Sequence, residues 1–193
     1  MSKEYPNIAR ALFGGVQEGQ SLYAILDAAR TFDIPFRLRS AKVEHECLYR
    51  GRSAEVLWHV APYLLRCEQE AEFFRWMLEE GWGDSWGIYL TSAARLEGLC
   101  EHFRQFLLVR TEEDRELYFR FYDPRILRTF LPTCTPEETE RLFGPVSCYL
   151  MEAEQPETLL KFIAGEQGAR QETVALFVPS QTGTERSAPK LVL

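Results

Sequence analysis

A continuous apolar run at residues 22–26, LYAIL, is followed by Asp27 and predicts a β-strand. A strand that lacks polar alternation is typical of one buried on both faces, so we expect helices on either side of a sheet. Residues 46–50 predict a second strand, residues 53–58 a short helix that begins at Ser53, and residues 63–65 a further extended segment.

Two later segments show the periodicity of amphipathic helices. The first has an apolar stripe and ends at Gly81, and after the tryptophan loop at residues 82–87 a strand is predicted at residues 88–90. The second repeats apolar residues at helical spacing and predicts a packed helix over residues 93–107, with Leu99 and Phe103 on its buried face.

The segment FRFYDPRIL, residues 119–127, follows a predicted β-hairpin. Two apolar runs at residues 107–109 and 117–119 flank an acidic tip, which is the pattern of a hairpin. If the second strand continued to residue 122, its side chains would alternate between two faces. The pattern then directs Leu117, Phe119 and Phe121 to the core, and Tyr118, Arg120 and Tyr122 to the opposite face.

Asp123 and Pro124 have the form of a helix start, because an aspartate can accept backbone N–H bonds and proline suits the first helical position. This interpretation as a structural joint is favoured over a catalytic Asp123. A cap alone predicts that Asp123→Asn leaves stability nearly unchanged. Thr135 begins a second such start, with a capping box. Downstream we expect a strand at 146–150, a last helix opened by Pro156, and a strand at 174–178.

Together these elements predict an α/β fold: a single mixed-sheet domain with helices packed on the sheet, plus a short C-terminal extension. The chain has 193 residues, of which 46% are hydrophobic, and this suffices for the core of one domain. Its formal charge of -7, with no basic block, argues against a nucleic-acid partner.

The sequence also bears on the compartment. No apolar stretch approaches the roughly 20 residues of a membrane-spanning helix, so no membrane insertion is expected. The N-terminal residues lack the apolar stretch of a signal peptide, and the 5 cysteines include no CxxC pair. Free thiols in a reducing, cytoplasmic environment are the expectation.

No catalytic, metal or cofactor site emerges from the motifs. Cys100 and His102 lie two positions apart on a predicted helix, so their side chains diverge and do not readily share a metal. Cys47 or Ser85 with a histidine would be a candidate nucleophile, but neither has a local signature. The glycines lack the spacing of a phosphate-binding loop.

Recognition of another protein is the more specific hypothesis. Core packing is the commoner role of tryptophan, but Trp82 and Trp86 lie on a glycine-rich loop, where indoles are often partly exposed. Arg120 and Tyr122 are predicted to point away from the core, and arginine and tyrosine are enriched at interfaces. Two further arginines, three positions apart on the following helix, extend the predicted partner-binding patch: Arg125 and Arg128. The alternative is that these arginines form internal salt bridges.

Six motifs occur in an order that resembles a family of domains of unknown function found in type VI secretion adaptors, or effector chaperones. They are LYAILDAAR at 22–30, VAPYLLRC at 60–67, FRWMLEEGWGDSWGIYL at 74–90, LCEHFRQFLLV at 99–109, FRFYDPRILRTFLP at 119–132 and LFGPVSCYLMEAE at 142–154. The resemblance covers residues 22–154. GWGxSWG together with FRFYDPR is its most specific part.

The resemblance implies a non-enzymatic cytoplasmic protein that binds a toxin effector and promotes its loading onto a VgrG-type spike. It also implies an adaptor/chaperone domain at residues 1–154 and a short variable helix and tail at 155–193. The positions that match the family's motifs are Asp27, Trp82, Trp86, His102, Arg104, Tyr122, Asp123, Pro124 and Arg125.

Two alternatives remain open at this point. An immunity-type protein that neutralises a toxin would also be small, acidic and tight-binding. A small hydrolase-like enzyme would use Asp27 or Asp123 with His102.

Overall fold

The computed structural model describes residues 5–110 and 114–176, which form three layers: a seven-stranded sheet between two layers of helices. The helices are α1 Tyr5–Phe13, α2 Asp33–Ser40, α3 Gly51–Val56, α4 Glu72–Gly81, α5 Leu96–Arg104, α6 Pro124–Phe130 and α7 Pro136–Phe143, with short 3₁₀ turns at Trp58–Val60 and Leu131–Thr133. The strands are β1 Ser21–Asp27, β2 His45–Cys47, β3 Pro62–Arg66, β4 Gly87–Ser92, β5 Leu108–Arg110, β6 Glu116–Tyr118, β7 Val146–Glu152, β8 Thr158–Gly165 and β9 Gly168–Ala175.

The main sheet has the order β2-β3-β1-β4-β7-β8-β9, and each neighbouring pair is antiparallel. β1 lies inside it, paired with β3 on one side and β4 on the other, and six of its seven residues are buried. The predicted interior strand and the α/β class are both confirmed.

Alternate residues of β1 contact different helical layers. Leu22, Ala24 and Leu26 pack in the core that contains residues of α1, α2 and α4. Tyr23 and Ile25 pack in the second core, which contains residues of α5, α6 and α7. Period-two alternation therefore supplies apolar contacts on both faces, which is why the run LYAIL contains no outward polar position.

The predicted helix at 93–107 is present in shorter form as α5, Leu96–Arg104. Leu99, Cys100 and Phe103 are buried on its inner face, as their spacing indicated. The predicted second strand is also shorter than expected, since β2 covers only His45–Cys47.

The hairpin formed by β5 and β6 is a separate two-stranded sheet, and its existence was predicted. Its second strand ends at Tyr118, so the alternation expected through residue 122 does not hold. Leu117 is 52% exposed rather than directed to the core, whereas Phe121 is buried as expected. Tyr122 is buried too, which corrects its predicted outward position. The reason is that a turn follows the strand, with Asp123 N donating to the Arg120 carbonyl at 3.0 Å.

The predicted C-terminal helix after Pro156 is wrong, because these residues form β8 and then β9. Leu159 packs in one core, and Leu160 and Phe162 pack in the other. A short apolar run of this kind fits a helix or a doubly covered strand equally well, and periodicity alone does not separate them. The sheet thus continues past residue 154, and of the strand expected at 174–178 residues 177–178 lie outside the described part of the chain.

None of the described helices has both the length and the apolar character needed to cross a membrane.

Candidate functional site

Three strands meet at one edge of the main sheet, where strand ends come together, and two of them end there in a carboxylate. β1 ends there at Asp27, β4 begins at Gly87, and β7 ends at Glu152. Leu26 pairs with Gly87, and Asp27 N donates a hydrogen bond of 2.8 Å to the Trp86 carbonyl. Because neighbouring strands are antiparallel, the end of β1, the start of β4 and the end of β7 share this edge.

Asp27 links this edge to the segment after the hairpin. Its carboxylate is 1% exposed and accepts a hydrogen bond from the Arg120 guanidinium through Oδ2. Its Oδ1 accepts from Ala29 N at 3.0 Å. The Arg120 side chain is 40% exposed, so one side of its guanidinium is held by a buried carboxylate while part of it remains accessible.

Asp123 is the second buried carboxylate of this cluster. It begins α6 as predicted, because its Oδ1 accepts from Arg125 N at 3.0 Å, and Pro124 follows at the first helical position. The same carboxylate also accepts from Arg125 Nε at 2.9 Å and Arg125 Nη2 at 2.6 Å. Arg120 Nη2 lies 3.7 Å from Asp123 Oδ2, so Arg120 bridges the two aspartates.

These contacts fix the ionisation of Asp123. Burial by itself would raise the pKa of this carboxyl, but the hydrogen bonds from Arg125 and the charges of Arg125 and Arg120 outweigh burial and hold the pKa below its ordinary value. A general acid or base works best with a pKa near the operating pH. The arrangement therefore suits Asp123 to holding α6 in place rather than to transferring protons.

Tyr122 lies beneath this cluster, buried in the core with Phe121. Burial raises the pKa of its hydroxyl, with a further contribution from Tyr49. The side chain is 4% exposed and is therefore not available at the surface, where the predicted patch placed it.

The tryptophan loop is fixed by Glu152, a residue that the sequence reasoning did not single out. Glu152 Oε2 accepts from Gly83 N, and its Oε1 accepts from Ser85 N at 2.9 Å and Ser85 Oγ at 3.2 Å. Ser85 adopts a left-handed conformation with φ 57°, an unusual geometry for a side-chain-bearing residue. Burial raises the pKa of Glu152, although the three donors counteract it. The signal in the sequence was an acidic residue at the end of a buried strand.

The two tryptophans of this loop differ in accessibility. Trp82 is 3% exposed, and its indole Nε1 donates to the Pro156 carbonyl at 2.7 Å, so its predicted exposure is wrong. Trp86 is partly exposed and packs on Trp76 with ring centroids 5.0 Å apart. A Cβ on Gly81 would overlap the Trp86 ring, so the glycine that ends α4 is required for this packing.

Residues 22–141 match a family model whose description is "Domain of unknown function (DUF4123)". The chain belongs to the DUF4123 family. This family is known as a domain associated with type VI secretion effectors, which gives the chain a general effector-associated adaptor role. No curated protein matches the chain, and no solved structure does.

The matched region of this DUF4123 domain contains both aspartates of the cluster, both arginines and the tryptophan loop, whereas Glu152 lies beyond it. Two other motif positions lie elsewhere in the fold. His102 Nε2 contacts the Leu142 carbonyl at 3.0 Å, and burial lowers the pKa of this histidine. Arg104 donates to the carbonyls of Cys47 at 2.8 Å and Leu48 at 3.1 Å, which ties α5 to β2 and the residue after it.

Arg128 differs from the other arginines of the predicted patch. Its side chain is partly exposed and makes no hydrogen bond or ion pair within the part of the chain that the structure describes. The structure therefore brings Asp27, Arg120, Asp123 and Arg125 together, with Trp86 beside Asp27, and leaves Arg128 available on α6.

The residues considered for catalysis make other contacts in the structure. The His102 ring packs against Phe103 and Phe106 at centroid distances of 5.1 Å, and in the described chain no hydrogen bond or ion pair joins it to Asp27 or Asp123. Ser85 Oγ is bonded to Glu152, and burial raises the pKa of the Cys47 thiol. Within residues 5–110 and 114–176, no group of three histidine, cysteine, aspartate or glutamate side chains could hold a metal ion.

Proposed function

We propose that this DUF4123 protein is a cytoplasmic adaptor that binds a toxin effector and promotes its loading onto a VgrG-type spike. The observation that carries the proposal is the family match over residues 22–141, since the family is associated with type VI secretion effectors. The protein acts by binding in this proposal, and no catalytic step is assigned to it.

The charged cluster at the sheet edge supports a binding role. Its two carboxylates accept hydrogen bonds from arginines and backbone N–H groups, which hold the arginine side chains in fixed positions at the surface. Arg120 and Arg125 keep 40% and 48% of their side-chain surface accessible while their positions are fixed. A fixed arginine loses little conformational entropy on binding, which favours recognition of a partner.

The proposed contact surface is accordingly narrower than the one that the sequence suggested. The accessible set is Trp86, Arg120, Arg125 and Arg128, whereas Trp82 and Tyr122 are buried. Arg128 is the informative position for mutation, because its replacement disturbs no described ion pair.

The test is affinity purification of the tagged protein from its native cells, with identification of the proteins that remain bound and an assay of toxin secretion. We expect a complex that contains both partners, and loss of toxin secretion when the gene for this protein is deleted. Arg128→Glu should weaken capture, whereas Arg10→Glu, a charge-matched change at an exposed position of α1, should not.

Other outcomes would assign the protein differently. Capture of the toxin without the spike, together with rescue of cells from that toxin, would identify an immunity protein. Normal toxin secretion in the deletion strain would contradict the adaptor proposal.

A further inference from the structure

A second accessible surface lies on α2 and the 3₁₀ turn at Trp58–Val60. Four rings form a continuous chain there, which we call the aromatic ridge: Phe32, His59, Trp58 and Phe36. The Phe32 and His59 rings are stacked with centroids 6.1 Å apart, and the Trp58 centroid lies 5.7 Å from that of His59. Phe36 meets Trp58 edge-on at 5.5 Å.

The ridge is exposed although it is built from large apolar side chains. Phe32 is 65% exposed and Phe36 is 55% exposed, whereas Ile34 and Leu38 on the other side of α2 are fully buried. Positions 32, 36 and 39 are spaced four and three residues apart, so Phe32, Phe36 and Arg39 share one face at α2. The core therefore fixes the helix, and a second face remains uncovered.

The charges beside the ridge are positive. The Arg39 guanidinium lies 3.9 Å from the Trp58 ring centroid, and the Arg37 guanidinium lies 4.4 Å from that of Trp76. Arg37 and Lys42 line an adjoining open cleft of about 440 Å³, which Glu72 also borders. No ion pair within the described residues neutralises Arg37, Arg39 or Lys42.

This local charge contrasts with the formal charge of -7 for the whole chain. Three cations lie on or just after α2, against Asp33 on the same helix and Glu44, which pairs with Arg66. Exposed aromatics flanked by arginines are the residue types that dominate interface energies, and positive charge selects partners of the opposite sign.

We propose that the aromatic ridge is a docking surface for a protein segment that presents aliphatic or aromatic side chains flanked by aspartate or glutamate. The apolar side chains of the segment cover Phe32 and Phe36, and its carboxylates pair with Arg39 and Arg37. Resting on the proposed function, we assign this segment to the toxin effector. The ridge is distinct from the charged cluster of the main sheet, since the two share no residue. That cluster consists of Asp27, Arg120, Asp123 and Arg125.

The experiment measures binding of a fluorescent amphipathic peptide of about 16 residues, with leucine and phenylalanine on one face and glutamate beside them, by anisotropy. A second peptide replaces each glutamate with lysine. The proteins are the wild type, Phe36→Ser, Arg39→Glu, and the control Leu117→Ser, which removes a similarly exposed apolar side chain from the hairpin. Circular dichroism checks that each variant is folded.

We expect the wild type and Leu117→Ser to bind the acidic peptide, and Phe36→Ser to bind it about tenfold more weakly. Arg39→Glu should reduce the preference for the acidic peptide, because it places a negative charge beside Trp58 while Arg37 and Lys42 remain. Equal binding of the two peptides by the wild type, absence of binding, or full binding by Phe36→Ser would overturn the proposal.

Two further measurements test whether the aromatic ridge binds something other than a protein segment of this kind. Self-association of the wild type in light scattering that Phe36→Ser abolishes would assign the ridge to a second copy of the chain, and binding to phosphatidylglycerol vesicles that Phe36→Ser abolishes would assign it to a lipid surface. Either result overturns the proposal. Capture of the effector separates the two hypotheses. If Phe36→Ser captures the effector as well as the wild type does, the docking role of the ridge alone is contradicted. If the wild type selects the acidic peptide but captures no effector, the proposed function alone is contradicted.

Discussion

Asp123 is the residue at which the structure changes the expected result of a mutation most clearly. A helix cap by itself predicts that Asp123→Asn is nearly neutral, because asparagine caps helices as well as aspartate does. In the structure, however, both carboxylate oxygens of Asp123 accept from the Arg125 guanidinium, and Arg120 lies 3.7 Å away. Asparagine keeps one oxygen but loses the charge and turns an N–H₂ group towards one of the donors.

The magnitude follows from burial. Hydrogen bonds to a charged group contribute about 1.5 to 3 kcal/mol when buried, but Arg125 is 48% exposed and Arg120 is 40% exposed, so solvent screening reduces the loss. We expect Asp123→Asn to cost about 1 to 2 kcal/mol of unfolding free energy. Asp123→Ala also removes the cap, which adds about 0.5 to 2 kcal/mol.

The assay is urea unfolding at pH 7 and pH 5, followed by circular dichroism, for the wild type, Asp123→Asn, Arg125→Gln and the double variant. The folded pKa of Asp123 lies below its ordinary value of 3.8, so its ionised form stabilises the fold above that pH, and the stabilisation is lost as the pH falls through the folded pKa. The cost of Asp123→Asn should therefore be the same at pH 7 and pH 5. The double-mutant cycle formed by these four proteins should give a coupling free energy of about 1 kcal/mol between Asp123 and Arg125.

A difference below about 0.3 kcal/mol between the wild type and Asp123→Asn at pH 7, with no coupling in the cycle, would refute this reasoning. It would show that the cap alone accounts for Asp123 and that the arginine contacts are energetically neutral.

Two further predictions concern the core and the tryptophan loop. Leu99→Ala and Phe103→Ala should each cost about 2 to 5 kcal/mol in urea unfolding, because both side chains are fully buried; a loss below about 1 kcal/mol at both would contradict the assigned face of α5. Glu152→Gln should loosen the loop, seen as a change in tryptophan fluorescence. Because burial raises the folded pKa of Glu152, the wild type should gain stability relative to this variant as the pH falls from 7 towards 4.5; the opposite trend would exclude a raised pKa.

Much of the fold was predictable because its signals are local. Each of these signals depends on residues within a few positions of one another. They are the apolar run LYAIL, the apolar stripe of α5, the helix cap at Asp123 and the capping box at Thr135. The helix predicted in place of β8 was wrong for a physical reason. Apolar side chains at 159, 160, 162 and 163 fit a helical stripe as well as a strand covered on both faces.

The candidate site was predictable only in part. The sequence placed Arg120 and Asp123 in one short segment, but the strand ends early, and this turns Tyr122 into the core. Partial exposure of Trp82 was expected from its glycine-rich loop, but its indole N–H donates to the Pro156 carbonyl and the side chain is buried. The acceptor for Trp82 lies 74 positions away, and the residues next to the tryptophan do not reveal it.

The sequence by itself determined the α/β class, the doubly buried β1, the amphipathic α5 and the starts of α6 and α7, because hydrophobic periodicity and capping act over single turns and pleats. Tertiary structure alone decided that Asp27 pairs with Arg120, 93 positions away, and that Glu152 holds a loop 67 to 69 positions earlier. Strands from different parts of the chain meet at this edge of the sheet. A buried carboxylate there must accept hydrogen bonds from the donors that the fold brings close, whatever their distance in sequence.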